Sequence, residues 1–180
     1  MKMNNIEIYV DGSAINNENP NVQSLGGVGI CVRYWYKHDP THDSVEGYSE
    51  TVRKDASIPE LDLGKITNNT TELAAIYLAL EYVIVNYDRI RKLYGDNTAF
   101  KIYGDSQYAG NLVFGSWKPK QNKQLVAEVK DLAKKVDFVT WEYVKAHDGN
   151  VYNEYADYLA KSGAYNRNPL PFDEWKTTEF

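Results

Sequence analysis

One cysteine, Cys31, stands in 180 residues, which excludes an internal disulfide and any cysteine-cluster metal site. No apolar run approaches the ~18 residues of a membrane span. The opening residues 1–5 are polar and lead directly into a strand-like segment, unlike a secretory signal. Positive charge is in deficit, with 20 Lys and Arg against 25 Asp and Glu, and the net charge of −5 argues against indiscriminate binding to polyanions. No Walker lysine and no G-x-G-x-x-G turn is present; GGVG at 26–29 reads instead as a strand whose glycines permit close packing. Internal repeats and low-complexity tracts are absent too. At 43% hydrophobic and 25% charged, the chain reads as one soluble globular domain. The expectations are a cytoplasmic protein, a monomer, without membrane contact and without a small organic cofactor.

Residues 6–10 (IEIYV) alternate as a half-buried strand and stop at Asp11-Gly12. Residues 26–36 and 45–52 predict two more strands, and the short turns between these runs favour antiparallel hairpins. After a charged connector at 53–66, a long helix is predicted from about Asn69 or Thr70 to Leu93, with Thr and Asn available as N-caps and Gly95 beyond its end. A strand at 100–104, helices at 106–113 and 121–135, a strand at 137–144 and a helix at 152–163 follow. The order β-β-β-α-β-α-α-β-α implies an α/β fold, a mixed sheet with helices packed on it. Residues 1–164 are expected to form the domain and 165–180 a tail with little periodicity.

Four carboxylates occupy telling positions. Asp11 and Asp105 each follow an apolar strand, and if those strands are parallel neighbours both lie at the carboxyl edge of the sheet, where open α/β sheets place ligands. Each can equally be a turn aspartate, and Asp105 could cap the next helix. Glu72 shares a helical face with Ala75, Ile76, Ala79, Leu80 and Val83, so it is expected to face the sheet. An ionised carboxylate there is costly unless paired or bound to a cation, although a first-turn glutamate can also serve the helix dipole. Asp157 lies beside Ala156, Leu159 and Ala160 on the last helix, where an ordinary boundary residue would also fit. His147, in a loop with Gly149, is placed for proton transfer or simply for solvent. Gathered together, four carboxylates need hard divalent cations to offset their repulsion, and Mg²⁺ suits carboxylate, phosphate and water oxygens.

YVDGSA (9–14), GGVG (26–29), TNNTTELAAI (67–76), YGDSQYA (103–109), WEYVKAHDG (141–149) and NEYAD (153–157) together resemble the type 1 ribonuclease H family in order, context and spacing. The resemblance covers about residues 6–163. It implies a ribonuclease H-like fold: a five-stranded mixed sheet, three strands antiparallel and two parallel, with helices on both faces. It implies an endonuclease that hydrolyses the RNA strand of RNA–DNA hybrids with two Mg²⁺ ions, or Mn²⁺, held by Asp11, Glu72, Asp105 and Asp157. His147 would assist proton transfer or product release. Asn68 and Asn69 would contact the hybrid in its minor groove, and Lys65 and Thr67 a phosphate of the DNA strand. Thr70 stands where the family is often basic. The segment from Asp11 to Gly26 is longer than usual, leaving Asn16 and Asn19 both as candidates for a phosphate-contacting asparagine.

Many members carry a basic handle after the short helix. Residues 115–123 (GSWKPKQNK) are too short for all of it, and Trp117, Lys118, Lys120 and Lys123 are expected as a reduced grip. Residues 117–135 hold six lysines against Glu128 and Asp131, a local balance of +4, which a solvated helix face would equally explain. A catalytically inactive binding module of this fold and the nuclease domain of a reverse transcriptase remain alternatives. Met1 and single-domain length favour a free-standing enzyme.

Overall fold

The computed structural model describes residues 4–15, 25–36, 41, 43–53 and 61–180. Asn16, Asn19 and residues 54–60 of the 53–66 connector lie outside them. Five strands, β1 (Asn4–Ile15), β2 (Leu25–Tyr36), β3 (Ser44–Arg53), β4 (Ala99–Gly104) and β5 (Thr140–Tyr143), form one sheet in the order β3-β2-β1-β4-β5. β2 is antiparallel to both β1 and β3, while β1/β4 and β4/β5 are parallel. This is the mixed sheet that the element order predicted.

Strand alternation sends Ile6, Ile8 and Val10 to one face, where they join Leu73, Ile76, Leu80 and Val83 of helix α1 (Asn68–Tyr94). Each such side chain, when fully buried, contributes roughly 1.5–3 kcal/mol. Helix α2 (Gln107–Val113) and helix α3 (Lys123–Lys135) complete this layer, the latter through Leu125, Val126 and Val129. Tyr9 and Cys31 point to the opposite face, against Tyr155, Ala156 and Leu159 of helix α4 (Val151–Ala164). Burial pushes the Cys31 thiol far above its ordinary range, so it is an inert core residue.

Helix starts follow local chemistry. Thr67 caps α1 in a reciprocal box with Thr70, each side chain accepting from the other's backbone N–H. Ser106 Oγ caps α2 through Ala109 N–H at 3.0 Å, and Asn150 Oδ1 caps α4 through Tyr152 and Asn153 N–H.

Three sequence-based boundaries shift. β1 continues past Val10 to Ile15, because Asp11–Ile15 keep pairing with β2 after pairing with β4 has ended at Val10 and Gly104. β5 is shorter than 137–144, since only Lys101–Gly104 offer it partners. Finally, the stretch expected as an aperiodic tail carries helix α5 (Phe172–Thr178). Its Trp175 is 4% exposed and lies 5.0 Å from the Tyr155 ring, and the chain leading to it is held by Tyr155 Oη donating to Leu170 O at 2.8 Å. Two aromatics three residues apart, Phe172 and Trp175, are too short a run to read as a periodic pattern; their docking on Tyr155 is a tertiary event.

Candidate active site

Asp11 and Asp105 each occupy the first position beyond the last paired residues of the parallel β1/β4 ladder, Val10 and Gly104. The expected meeting at the carboxyl edge therefore occurs. Gly12 brings the third group: a Cβ there would collide with the backbone of Thr71 and Glu72, so only glycine lets β1 approach α1 this closely. Carboxylate oxygens of Asp11, Glu72 and Asp105 lie within 4.8 Å of one another. Gly29 does the corresponding work on the other face, where a Cβ would meet Ala156 O and Ala160 N of α4. That close approach sets Asp157 beside Asp11, with Asp157 Oδ2 accepting from Lys161 Nζ at 2.8 Å. Asp157 is thus adjacent to the three-carboxylate group without sharing its tightest cluster.

The plainer roles weighed from sequence do not hold for two of these residues. Ser106, not Asp105, caps α2. Glu72 lies beyond the first turn of α1, which contains no acidic residue.

Burial raises the carboxyl of Asp11 well above its ordinary value, and the adjacent Glu72 charge raises it further. Glu72 is pushed up to about 7, mainly by burial and then by the Asp105 charge, against the lowering effect of a hydrogen bond from Asp11. The pair thus retains a proton where isolated carboxyls would have lost it. Asp105 is raised by burial too, opposed by a hydrogen bond from Asn153. A cluster so arranged has excess negative charge and hard oxygen donors, the chemistry that a divalent cation such as Mg²⁺ or Mn²⁺ satisfies.

His147 sits in the left-handed region at φ 52, in the loop between β5 and α4. Its Nδ1 is 3.1 Å from Glu154 Oε1 and 3.3 Å from Oε2. If Nδ1 carries the hydrogen, as a carboxylate partner favours, Nε2 is the free ring nitrogen. A positive charge on this ring would favour the ionised form of the Asp105 carboxyl. Glu154 was not singled out from sequence, although its place six residues after the His-Asp pair of WEYVKAHDG was visible.

Of the residues expected to meet substrate, Asn69, Trp117, Lys118 and Lys120 line one cavity of about 330 Å³. Asn69 also precedes Glu72 by one helical turn, which ties that cavity to the carboxylates. Lys123 is the exposed first residue of α3 and does not line it. Asn68 Oδ1 accepts from Ala14 N–H at 3.1 Å, so part of its amide braces β1. The Thr67 hydroxyl is engaged in capping α1, and Lys65 is exposed just before it. Thr70 is buried, its hydroxyl donating to Lys65 O at 2.6 Å, so the position that resembles a basic one serves the helix start here.

Residues 3–165 match the family model described as RNase H. The chain belongs to the RNase H family. A ribonuclease H of Citrobacter koseri is 30% identical over 167 residues, covering 89% of this chain and 90% of the relative. The ribonuclease HI of Pasteurella multocida is 29% identical over 174 residues, again with 89% and 90% covered. In fold, the chain is similar to the PFV RNase H domain, with a TM-score of 0.63 at 20% identity over 92% of this chain and 98% of that one. It is likewise similar to LC11-RNase H1 from compost, at a TM-score of 0.61 and 21% identity over 91% of this chain and 98% of that one.

RNase H family members use divalent metal ions, and the acidic group of Asp11, Glu72 and Asp105 fits that requirement by donor type, spacing and surplus charge. No helix among the described residues is long and apolar enough to cross a membrane. One further residue beside this acidic group was not singled out from the sequence. Asn153, the first letter of NEYAD, is 2% exposed and donates through Nδ2 to Asp105 Oδ2 at 3.4 Å. Its position one turn before Asp157 was the available signal.

Proposed function

We propose that this protein is an endoribonuclease that hydrolyses the RNA strand of RNA–DNA hybrids with two Mg²⁺ ions, Mn²⁺ serving in their place. The observation that carries the reading is the convergence of Asp11, Glu72 and Asp105 at the carboxyl edge of an RNase H sheet. Asp11, Glu72 and Asp105 would hold the ions, with Asp157 joining from α4 as its carboxylate turns from Lys161. When bound, two such ions activate the attacking water and stabilise the departing 3′-oxygen. Bound cations would favour the ionised forms of Asp11 and Glu72, opposing the burial that raises both carboxyls. His147, steadied through Nδ1 by Glu154, presents Nε2 to move a proton to the leaving oxygen or to assist product departure.

Substrate contact falls to Asn68 and Asn69 on the RNA 2′-hydroxyls, Lys65 and Thr67 on a DNA phosphate, and Trp117, Lys118, Lys120 and Lys123 as a reduced grip. A cytoplasmic monomer with a domain at 1–164 belongs to the same reading. The test is cleavage of a matched RNA–DNA hybrid, an RNA duplex and single-stranded RNA, each with Mg²⁺, with Mn²⁺ and with chelator. Metal-dependent cutting confined to the RNA of the hybrid supports the proposal. Equal cutting of all three substrates, or undiminished cutting in chelator, overturns it.

A further inference from the structure

Asn153 makes a contact that the four-carboxylate description leaves out. It sits in the first turn of α4, where Asn150 caps its backbone N–H, and its side chain is buried beside Asp105. Nδ2 donates to Asp105 Oδ2 at 3.4 Å, whereas the carbonyl Oδ1 is fully enclosed and meets no protein donor among the described residues. An enclosed amide oxygen without a partner costs roughly 1–3 kcal/mol, and such atoms in native proteins generally accept from an ordered water or approach an ion. The amide cannot relieve this by turning over, because Oδ1 would then face the Asp105 carboxylate and both would be acceptors.

From the Nδ2 contact with Asp105 and the orphaned, buried Oδ1, we infer that Asn153 is a positioning residue of the metal centre: its amide N–H fixes Asp105 and its carbonyl accepts from a water of the hydrated cation. The inference rests on the reading of Asp11, Glu72 and Asp105 as that centre. Mg²⁺ retains several of its waters when bound, so acceptors beside the carboxylates complete such a site. The opposing view makes Asn153 a helix residue that merely fills space beneath Asp105.

Calorimetric titration of Mg²⁺ into substrate-free protein distinguishes the two. Asn153→Ala should bind Mg²⁺ about 10–100-fold more weakly than the natural protein, the usual effect of removing a group that orients a metal ligand. Its kcat should fall while KM for hybrid stays within about twofold, the sign of an interaction outside substrate binding. Wild-type Mg²⁺ affinity in folded Asn153→Ala overturns the inference. Asn153→Asp covers the case in which the alanine variant does not fold: a carboxylate at the centre should enlarge the rise in Tm on adding Mg²⁺, and an unchanged rise also overturns it. A natural protein that binds no Mg²⁺ defeats the metal-centre reading itself, an outcome separate from either variant's.

Discussion

The carboxylate edge of the sheet and the lysine segment after α2 are built in opposite ways. Asp11, Glu72 and Asp105 project from a strand, a helix and a strand end whose backbones touch, with Gly12 permitting the approach. Lys118, Lys120 and Lys123 are exposed and have no side-chain hydrogen bond or ion pair among the described residues. The first region accumulates repulsion that rigid packing prevents from relaxing; the second spreads its charge into solvent, where salt screens it. Ligands of a metal centre need fixed geometry, whereas phosphate contacts tolerate long, mobile side chains. The contrast leads to separable effects on turnover, stability and affinity.

Asp11→Asn or Asp105→Asn strikes the rigid region directly. Each keeps side-chain shape and removes a ligand charge, so hybrid cleavage in Mg²⁺ should fall by on the order of 10³-fold or more, with the far-ultraviolet circular dichroism unchanged. A folded Asp105→Asn protein with near-normal rates would show that the carboxylate edge is not where the reaction occurs. His147→Ala removes a proton carrier and no ligand, so single-turnover cleavage should slow by ~10²–10⁴-fold and remain measurable. An unchanged rate takes His147 out of the mechanism.

The stored repulsion has a pH signature. Asp11 and Glu72 hold their protons more tightly in the folded state than an exposed carboxyl does, with Glu72 near 7 against an ordinary 4.5. The metal-free folded state therefore binds more protons than the unfolded one. Its stability is greatest at low pH as far as these groups are concerned, and declines progressively as pH rises from about 4.5 through 7. Melts in chelator at pH 5.5 and 8 should show the decline, saturating Mg²⁺ should reverse it at pH 8, and Asp11→Asn should flatten it. A wild-type Tm indifferent to both pH and Mg²⁺ is incompatible with a strained acidic cluster.

The smallest effect belongs to the lysines. Replacing Lys118, Lys120 and Lys123 together by Ala should raise KM for hybrid and reduce the salt slope of binding by as much as about 3, close to one for each phosphate no longer neutralised. Saturated turnover should move far less, since these side chains bind ground and transition states alike. Unchanged KM and salt slope would make the segment a solvated surface and leave the carboxylate edge as it stands.

The amino-acid sequence alone determines what local chemistry enforces. Strand alternation, the Thr and Asn residues near the start of the long helix, and the spacing of Glu72 from Ala75, Ile76, Ala79 and Leu80 depend on near neighbours, so the mixed sheet and the inward-facing glutamate were legible. Asp11 and Asp105 were legible as the residues that follow the apolar runs of β1 and β4, and the resemblance of six ordered motifs joined them to Glu72 and Asp157. Proximity itself came only from tertiary structure. Residues separated by 94 positions in sequence, Asp11 and Asp105, meet because β1 and β4 pair in parallel, a register set by side chains on both faces of the sheet. Asn153 at Asp105, Glu154 at His147 and Trp175 beneath Tyr155 are contacts between elements, and no periodicity encodes them. Local sequence determines which elements form and which face each buries; the free energy of packing those faces together decides which polar groups are left side by side.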